Sequence, residues 1–182
     1  LDFGSRIGSK LMKRASQENQ PPRNGDDRPG GRSSHSRSLL FNSARSGAAY
    51  SGVGSAYPHS GAGYVYLGTS NRASGALYQS ATIPAGASSA TVSFWLNVSS
   101  SESTSTIAYD KLYVEVRSAT GALLTTLATY SNLNRGTAGS YSQKSFSVNL
   151  APYAGQQLRL QFRVANDISL PTTFRVDDVS VK

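Results

Sequence analysis

The stretch "SATVSFWLNV", residues 89–98, alternates apolar and polar side chains. Val92, Phe94, Leu96 and Val98 share one parity; Thr91, Ser93, Trp95 and Asn97 share the other. Period two is the signature of a strand with one buried face, since neighbouring side chains on a strand point to opposite sides. The same pattern recurs on both sides of it. "DKLYVEVRS" (110–118) places Leu112, Val114 and Val116 inward and Lys111, Tyr113, Glu115 and Arg117 outward. "QLRLQFRVA" (157–165) turns Leu158, Leu160, Phe162 and Val164 in and Arg159 and Arg163 out. "GYVYLG" (63–68), "GALYQSATI" (75–83), "ALLTTLATY" (122–130), "SYSQKSFSVNL" (140–150) and "TTFRVDDVSVK" (172–182) complete a set of about eight strands. Thr120-Gly121 marks the turn of a hairpin over 110–130, and "APYAGQ" reads as a single helical turn. One-sided alternation gives each sheet one buried and one wet face, and two such sheets bury their apolar faces against each other. The sequence therefore predicts an all-β, antiparallel β-sandwich. Its strand count and long connections favour a jelly roll.

Composition agrees with that class. Only 15% of the residues are charged, there is no cysteine, and no apolar run reaches the length of a membrane helix. No disulfide can hold the fold, so its core, a metal ion, or both must do so. The net charge of +8 is not spread evenly. Residues 1–38 hold eight Lys/Arg against four Asp/Glu, while the remaining 144 residues hold ten against six. Residues 1–38 are rich in Pro, Gly, Ser and Arg and read as a disordered basic linker or a non-native segment. Residues 39–182 form the module, with clear strands from about 62. The chain opens on Leu1 without a basic-then-apolar leader and is read as a fragment or a processed product, which leaves secretion open.

Enzyme chemistry has little to work with. His35 lies in the linker, and His59, in "YPHSG", reads as a structural turn histidine. No nucleophile elbow, zinc spacing or phosphate-cradling loop is present. The arginines Arg117, Arg159, Arg163 and Arg175 read as a solubilising face, with no nucleic-acid partner, no membrane partner and a monomeric state expected. Trp95 and Tyr113 fall on the outward parity of their strands, with Asn97 and Arg117 near them in sequence. An exposed aromatic platform beside neutral hydrogen-bonding groups suits sugar recognition. These four residues are the candidate ligand-binding patch, with a loop or domain covering Trp95 as the competing reading.

The last strand raises a separate question. Phe174 and Val176 share one parity and Val179 and Val181 the other, so the apolar side switches across Asp177 and Asp178. A β-bulge at 177–178 restores the register. One Asp then faces water while the other is held by backbone amides, an arginine or a cation.

Taken together, "HSGAGYVYLG", "LYQSATIPAGASSATVSFWLNV", "YDKLYVEVRSATGALLTTLATYSNLN" and the ending "DISLPTTFRVDDVS" resemble the C-terminal accessory β-sandwich of secreted bacterial peptidases. That domain is related to MAM-like and carbohydrate-binding-module-like jelly rolls. The resemblance spans about residues 58–182, and the family's opening N-G-x-F-E motif has no counterpart in residues 1–57. It implies a non-catalytic, extracellular module linked covalently to a catalytic domain. Its ligand would be polysaccharide or glycoprotein; a docking domain with no glycan ligand is the alternative. A structural calcium ion is also implied, for which Asp178 and Asp177 are the candidate ligands.

Overall fold

A computed structural model describes residues 42–44 and 51–182. The linker expected over residues 1–38 lies outside the described residues. Two five-stranded antiparallel sheets face each other. The first runs in the order β1 (Asn42–Ala44), β4 (Ser74–Thr82), β9 (Gln157–Ala165), β6 (Lys111–Ser118), β7 (Leu123–Ser131). The second runs β2 (Ser51–Gly54), β3 (Tyr64–Gly68), β10 (Thr172–Val181), β5 (Ser89–Ser100), β8 (Ser142–Asn149). All eight strands expected from alternation are present. The two additional ones, β1 and β2, are edge strands of three and four residues, too short to show a period.

Consecutive strands pair directly only in β2–β3 and β6–β7; the other connections from β3 onward cross between the sheets. The hairpin expected over 110–130 is β6–β7. It turns on Gly121, whose φ of +93° glycine adopts without steric cost. The single helical turn expected after Leu150 is a 3-10 turn over Ala151–Tyr153, and a second one occupies Asn132–Asn134. The last two strands do not pair with each other: β9 belongs to the first sheet and β10 to the second. Alternation fixes which face of a strand is buried, not which sheet it joins. A six-residue connection over 166–171 is long enough to cross the sandwich.

The core is built from the inward parity of these strands. Phe94, Leu112, Val114, Phe162 and Phe174 have no exposed surface. Phe94 and Phe162 meet across the two sheets edge to face, with ring centroids 5.1 Å apart at 88°. Tyr130 and Phe146 pack against the same Phe94 ring at 6.4 and 6.1 Å. This geometry favours aromatic pairs beyond the area they bury.

The bulge in the last strand is present. The β10–β5 register shifts between Asp177 and Ser180, and Asp178 takes a φ of +48°. The extra residue lets Val176 and Val179 both enter the core, at 2% and 3% exposure.

Candidate functional site

The two outward faces of the sandwich divide the expected ligand patch. Trp95 and Asn97 lie on β5 in the second sheet; Tyr113 and Arg117 lie on β6 in the first. The structure places each pair on one strand and one face but does not bring the four together, because the thickness of the sandwich separates them. Strand parity is the same in both sheets, so sequence alone reads all four as outward.

On the second sheet, Trp95 pairs across to Asp177 on β10 and Gln143 on β8. The loop before β3 folds over it. The His59 ring stacks on Trp95 with centroids 3.7 Å apart and planes at 16°, and Tyr141 meets His59 edge-on at 5.7 Å. The acidic pair anchors this cover. His59 Nδ1 lies 2.6 Å from Asp178 Oδ2, and Ser60 Oγ donates to Asp178 Oδ1 at 2.6 Å. Asp177 Oδ2 accepts from the amides of His59 and Ser60 at 2.8 and 3.3 Å, and its Oδ1 accepts from the amide of Asp178 at 2.8 Å. Burial pushes the Asp177 carboxyl above its ordinary range, with the neighbouring Asp178 charge adding to it, and the three amide bonds act in the opposite sense. Burial likewise drives the Tyr141 hydroxyl far up, with Asp177 contributing.

The calcium implied by the resemblance does not fit these residues. All four carboxylate oxygens of the pair already face hydrogen-bonding partners, amides on Asp177 and the His59 ring and Ser60 hydroxyl on Asp178, and among the described residues no third His, Cys, Asp or Glu joins the pair in a metal-binding group. The pair instead locks a bulge to a loop. His59, read from the sequence as a turn histidine, does more than turn the chain: its ring caps Trp95. Asn97 is 1% exposed. Its amide donates to the carbonyls of Thr137 and Ser140 at 2.9 and 2.8 Å, and its Oδ1 accepts from Arg175 at 3.2 Å. It therefore clamps the loop before β8 and has no group left for a ligand. His59→Ala is expected to uncover the indole. Its emission should move to longer wavelength and acrylamide quenching should rise severalfold, with a stability loss of about 1–2 kcal/mol.

On the first sheet the outward side chains form a ladder across three strands. Tyr113 lies opposite Arg163, Glu115 opposite Gln161 and Arg117 opposite Arg159. On the far side of β9, Gln161 lies opposite Tyr78. Glu115 is 1% exposed although its parity is outward, which corrects the expectation of a wet glutamate. The cause is cross-strand charge pairing. Arg163 Nη2 reaches Glu115 Oε1 at 2.7 Å, Arg117 Nε reaches Oε2 at 2.7 Å, and Gln161 Nε2 donates to Oε2 at 3.3 Å. Burial pushes this carboxyl up, but the hydrogen bonds and charges of Arg163 and Arg117 outweigh it and hold the group below its ordinary range. The arginines also lie on rings: Arg163 over Tyr113 at 4.0 Å and Arg159 over Tyr78 at 4.6 Å. The face thus presents two tyrosine–guanidinium stacks on either side of a buried carboxylate. Tyr78, Arg159, Arg163 and Gln161 join the site only through register, which alternation does not carry.

Comparison with known proteins bears on the fold. No family model matches the chain, and no curated protein matches it. An arabinose-bound α-L-arabinofuranosidase, MgGH51, matches with a TM-score of 0.53 at 11% identity, over 78% of this chain and 22% of that one. The enzymatically active domain of tailspike protein 4 of bacteriophage CBA120 matches with a TM-score of 0.51 at 10% identity, over 79% of this chain and 19% of that one. The carbohydrate-binding module TmCBM61, solved with β-1,4-galactotriose, gives a TM-score of 0.48 at 13% identity, over 79% of this chain and 87% of that one. The chain thus spans about a fifth of the arabinofuranosidase and the tailspike domain. What it shares with those two proteins is its fold, a two-sheet antiparallel β-sandwich.

Proposed function

We propose that this domain is a non-catalytic, extracellular carbohydrate-binding module whose polysaccharide or glycoprotein ligand lies on the outer face of β4, β9 and β6. The observation that carries the reading is the pair of stacks, Tyr78–Arg159 and Tyr113–Arg163, flanking Gln161 and Glu115. The ring faces turned away from the arginines would meet the C–H faces of a sugar, and the guanidiniums would donate to its hydroxyls. Rigid strands hold these groups, so little ordering is needed on binding. Glycoside hydrolysis needs two carboxyl groups astride the bond. Glu115 is the only carboxylate in the five strands of this sheet, and both of its oxygens are taken. Trp95 plays no part in this reading because His59 covers it. Attachment to a secreted bacterial hydrolase, as the peptidase-accessory resemblance implies, belongs to the same proposal. No described helix is long and apolar enough to cross a membrane.

Affinity electrophoresis against neutral and acidic polysaccharides tests the reading. Tyr113→Ala is expected to weaken binding about tenfold, or roughly 1.4 kcal/mol, while Trp95→Ala leaves it unchanged. Retention of full affinity by Tyr113→Ala, or no binding of the intact chain to any polysaccharide, removes the proposal. A second reading, docking onto a linked catalytic domain, is favoured by apolar side chains exposed at one end of the sandwich: Ile107, Tyr109, Leu133, Ile168 and Leu170.

A further inference from the structure

Charge is not shared evenly between the two sheets. The strands of the first sheet hold four cations, Lys111, Arg117, Arg159 and Arg163, against one carboxylate, Glu115. The strands of the second hold two, Lys144 and Arg175, against two, Asp177 and Asp178. Parity turns the five charged side chains of the first sheet to its outer face, where Tyr113 lies opposite Arg163 and Arg117 opposite Arg159. That is the face of the two tyrosine–guanidinium stacks.

Glu115 cancels one of these charges without using up the guanidiniums. Arg163 gives it Nε and Nη2, and Arg117 gives it Nε while sending Nη1 to the carbonyl of Gly121. Among the described residues, Arg163 Nη1 and Arg117 Nη2 have no protein acceptor. Arg159 is not drawn to Glu115 at all: its Nη2 donates to the carbonyl of Ala119 and its guanidinium lies over the Tyr78 ring. Arg175, on the second sheet, is instead committed to Asn97 Oδ1 and Ser99 Oγ.

Spare guanidinium donors have a chemical preference. A neutral ligand laid on this face strips water from the cations and returns no charge, which costs free energy. A carboxylate or a sulfate ester meets a guanidinium in a two-pronged, charge-assisted pair and recovers that cost. A sugar ring that carries its own anion can meet a tyrosine and the arginine beside it at once. Arg159 and Arg163 stand four residues apart on β9, roughly 13 Å along a strand, too far for one sugar ring to bridge.

We infer that the ligand of the β4–β9–β6 face is an acidic polysaccharide, whose carboxylate or sulfate groups on separate sugar units pair with Arg159 and Arg163 beside Tyr78 and Tyr113. This rests on the carbohydrate-binding reading above and adds to it the charge of the ligand. Arg159 sets the preference for an acidic chain, since it is the arginine that no carboxylate of the sheet engages.

Calorimetry on the full chain tests this with two matched pairs: polygalacturonate against its methyl ester, and dextran sulfate against dextran. Each pair shares a backbone and differs in charge, and the two pairs distinguish carboxylate from sulfate. At low salt at least one acidic member is expected to bind about tenfold more tightly than its neutral counterpart. The preference should shrink severalfold at about 0.5 M sodium chloride. Arg159→Gln should cut it about fivefold and Arg159→Lys only about twofold, because lysine keeps the charge but not the fork. Tyr78→Ala should weaken both members of the pair alike. Lys144→Gln removes the same charge from the second sheet and should leave the preference unchanged. Equal binding within both pairs, or tighter binding of the neutral members, overturns the inference and leaves the carbohydrate reading standing; no binding to any polysaccharide overturns both. These outcomes are read on the unaltered chain, so they hold even where a variant fails to fold. The inference also falls if Lys144→Gln lowers the preference as far as Arg159→Gln. It falls equally if single-stranded oligothymidylate binds as tightly as the preferred acidic polysaccharide, since the face is then a general polyanion surface.

Discussion

Replacing both guanidiniums around Glu115, as Arg117→Met with Arg163→Met, is expected to destabilise the domain by about 3 kcal/mol at neutral pH. That is the lower end of the range for stripping the partners from a buried charge; the lower end applies because the Arg163 side chain is 36% exposed and screened by solvent. The loss should depend on pH in a defined sense. In the unaltered chain the Glu115 carboxyl is held below its ordinary value of 4.5. Its stabilising contribution is therefore present above that value and fades as pH falls through the lower, folded value. Without the arginines only burial remains, which raises the folded value instead. The penalty in the double variant then applies above its raised value and disappears as pH falls through 4.5. Urea melts at pH 7 and pH 4 should show a large gap between the two chains at the first and a small one at the second. Adding Glu115→Gln to the double variant should restore most of the stability at pH 7. An equal gap at both pH values would show that the arginines act by packing alone.

Phe94→Ala is the other large effect. The ring is wholly buried and touches aromatic rings from both sheets. Truncation removes its transfer energy and leaves a cavity that strands on both sides cannot close. A loss of about 3–5 kcal/mol and a fall in Tm of roughly 10–20 °C are expected. Phe94→Leu, which fills most of the space, should lose about 1 kcal/mol. Differential scanning calorimetry on the full chain measures both. A shift of a degree or two for Phe94→Ala would mean that the sheets slide together to fill the gap.

Much of the architecture was legible because burial in a sandwich is written in parity. Val92, Phe94, Leu96 and Val98 had to share a side, and in the structure they are all core. The bulge was legible for the same reason: a single strand cannot bury both Val176 and Val179 unless one residue is skipped. The candidate sites were legible only in part. Tyr113 and Arg117 were found by outward parity, but so were Trp95 and Asn97, which lie on the opposite face of the molecule. Glu115 was read as solvated because its three partners, Arg117, Arg163 and Gln161, include two that are 46 and 48 residues away in the chain.

By itself, then, the sequence determined the all-β class, the strands from residue 63 onward, the inward set and the kink at Asp177–Asp178, since each is a local consequence of period two. The tertiary structure alone decided which sheet each strand joins and its register with its neighbours. Those choices set His59 over Trp95 and seal Glu115 beneath two arginines. The physical reason is that a strand's own sequence specifies the face it buries, whereas its lateral partners are fixed by backbone hydrogen bonds that every sequence offers alike and that only the packing of the whole sandwich selects.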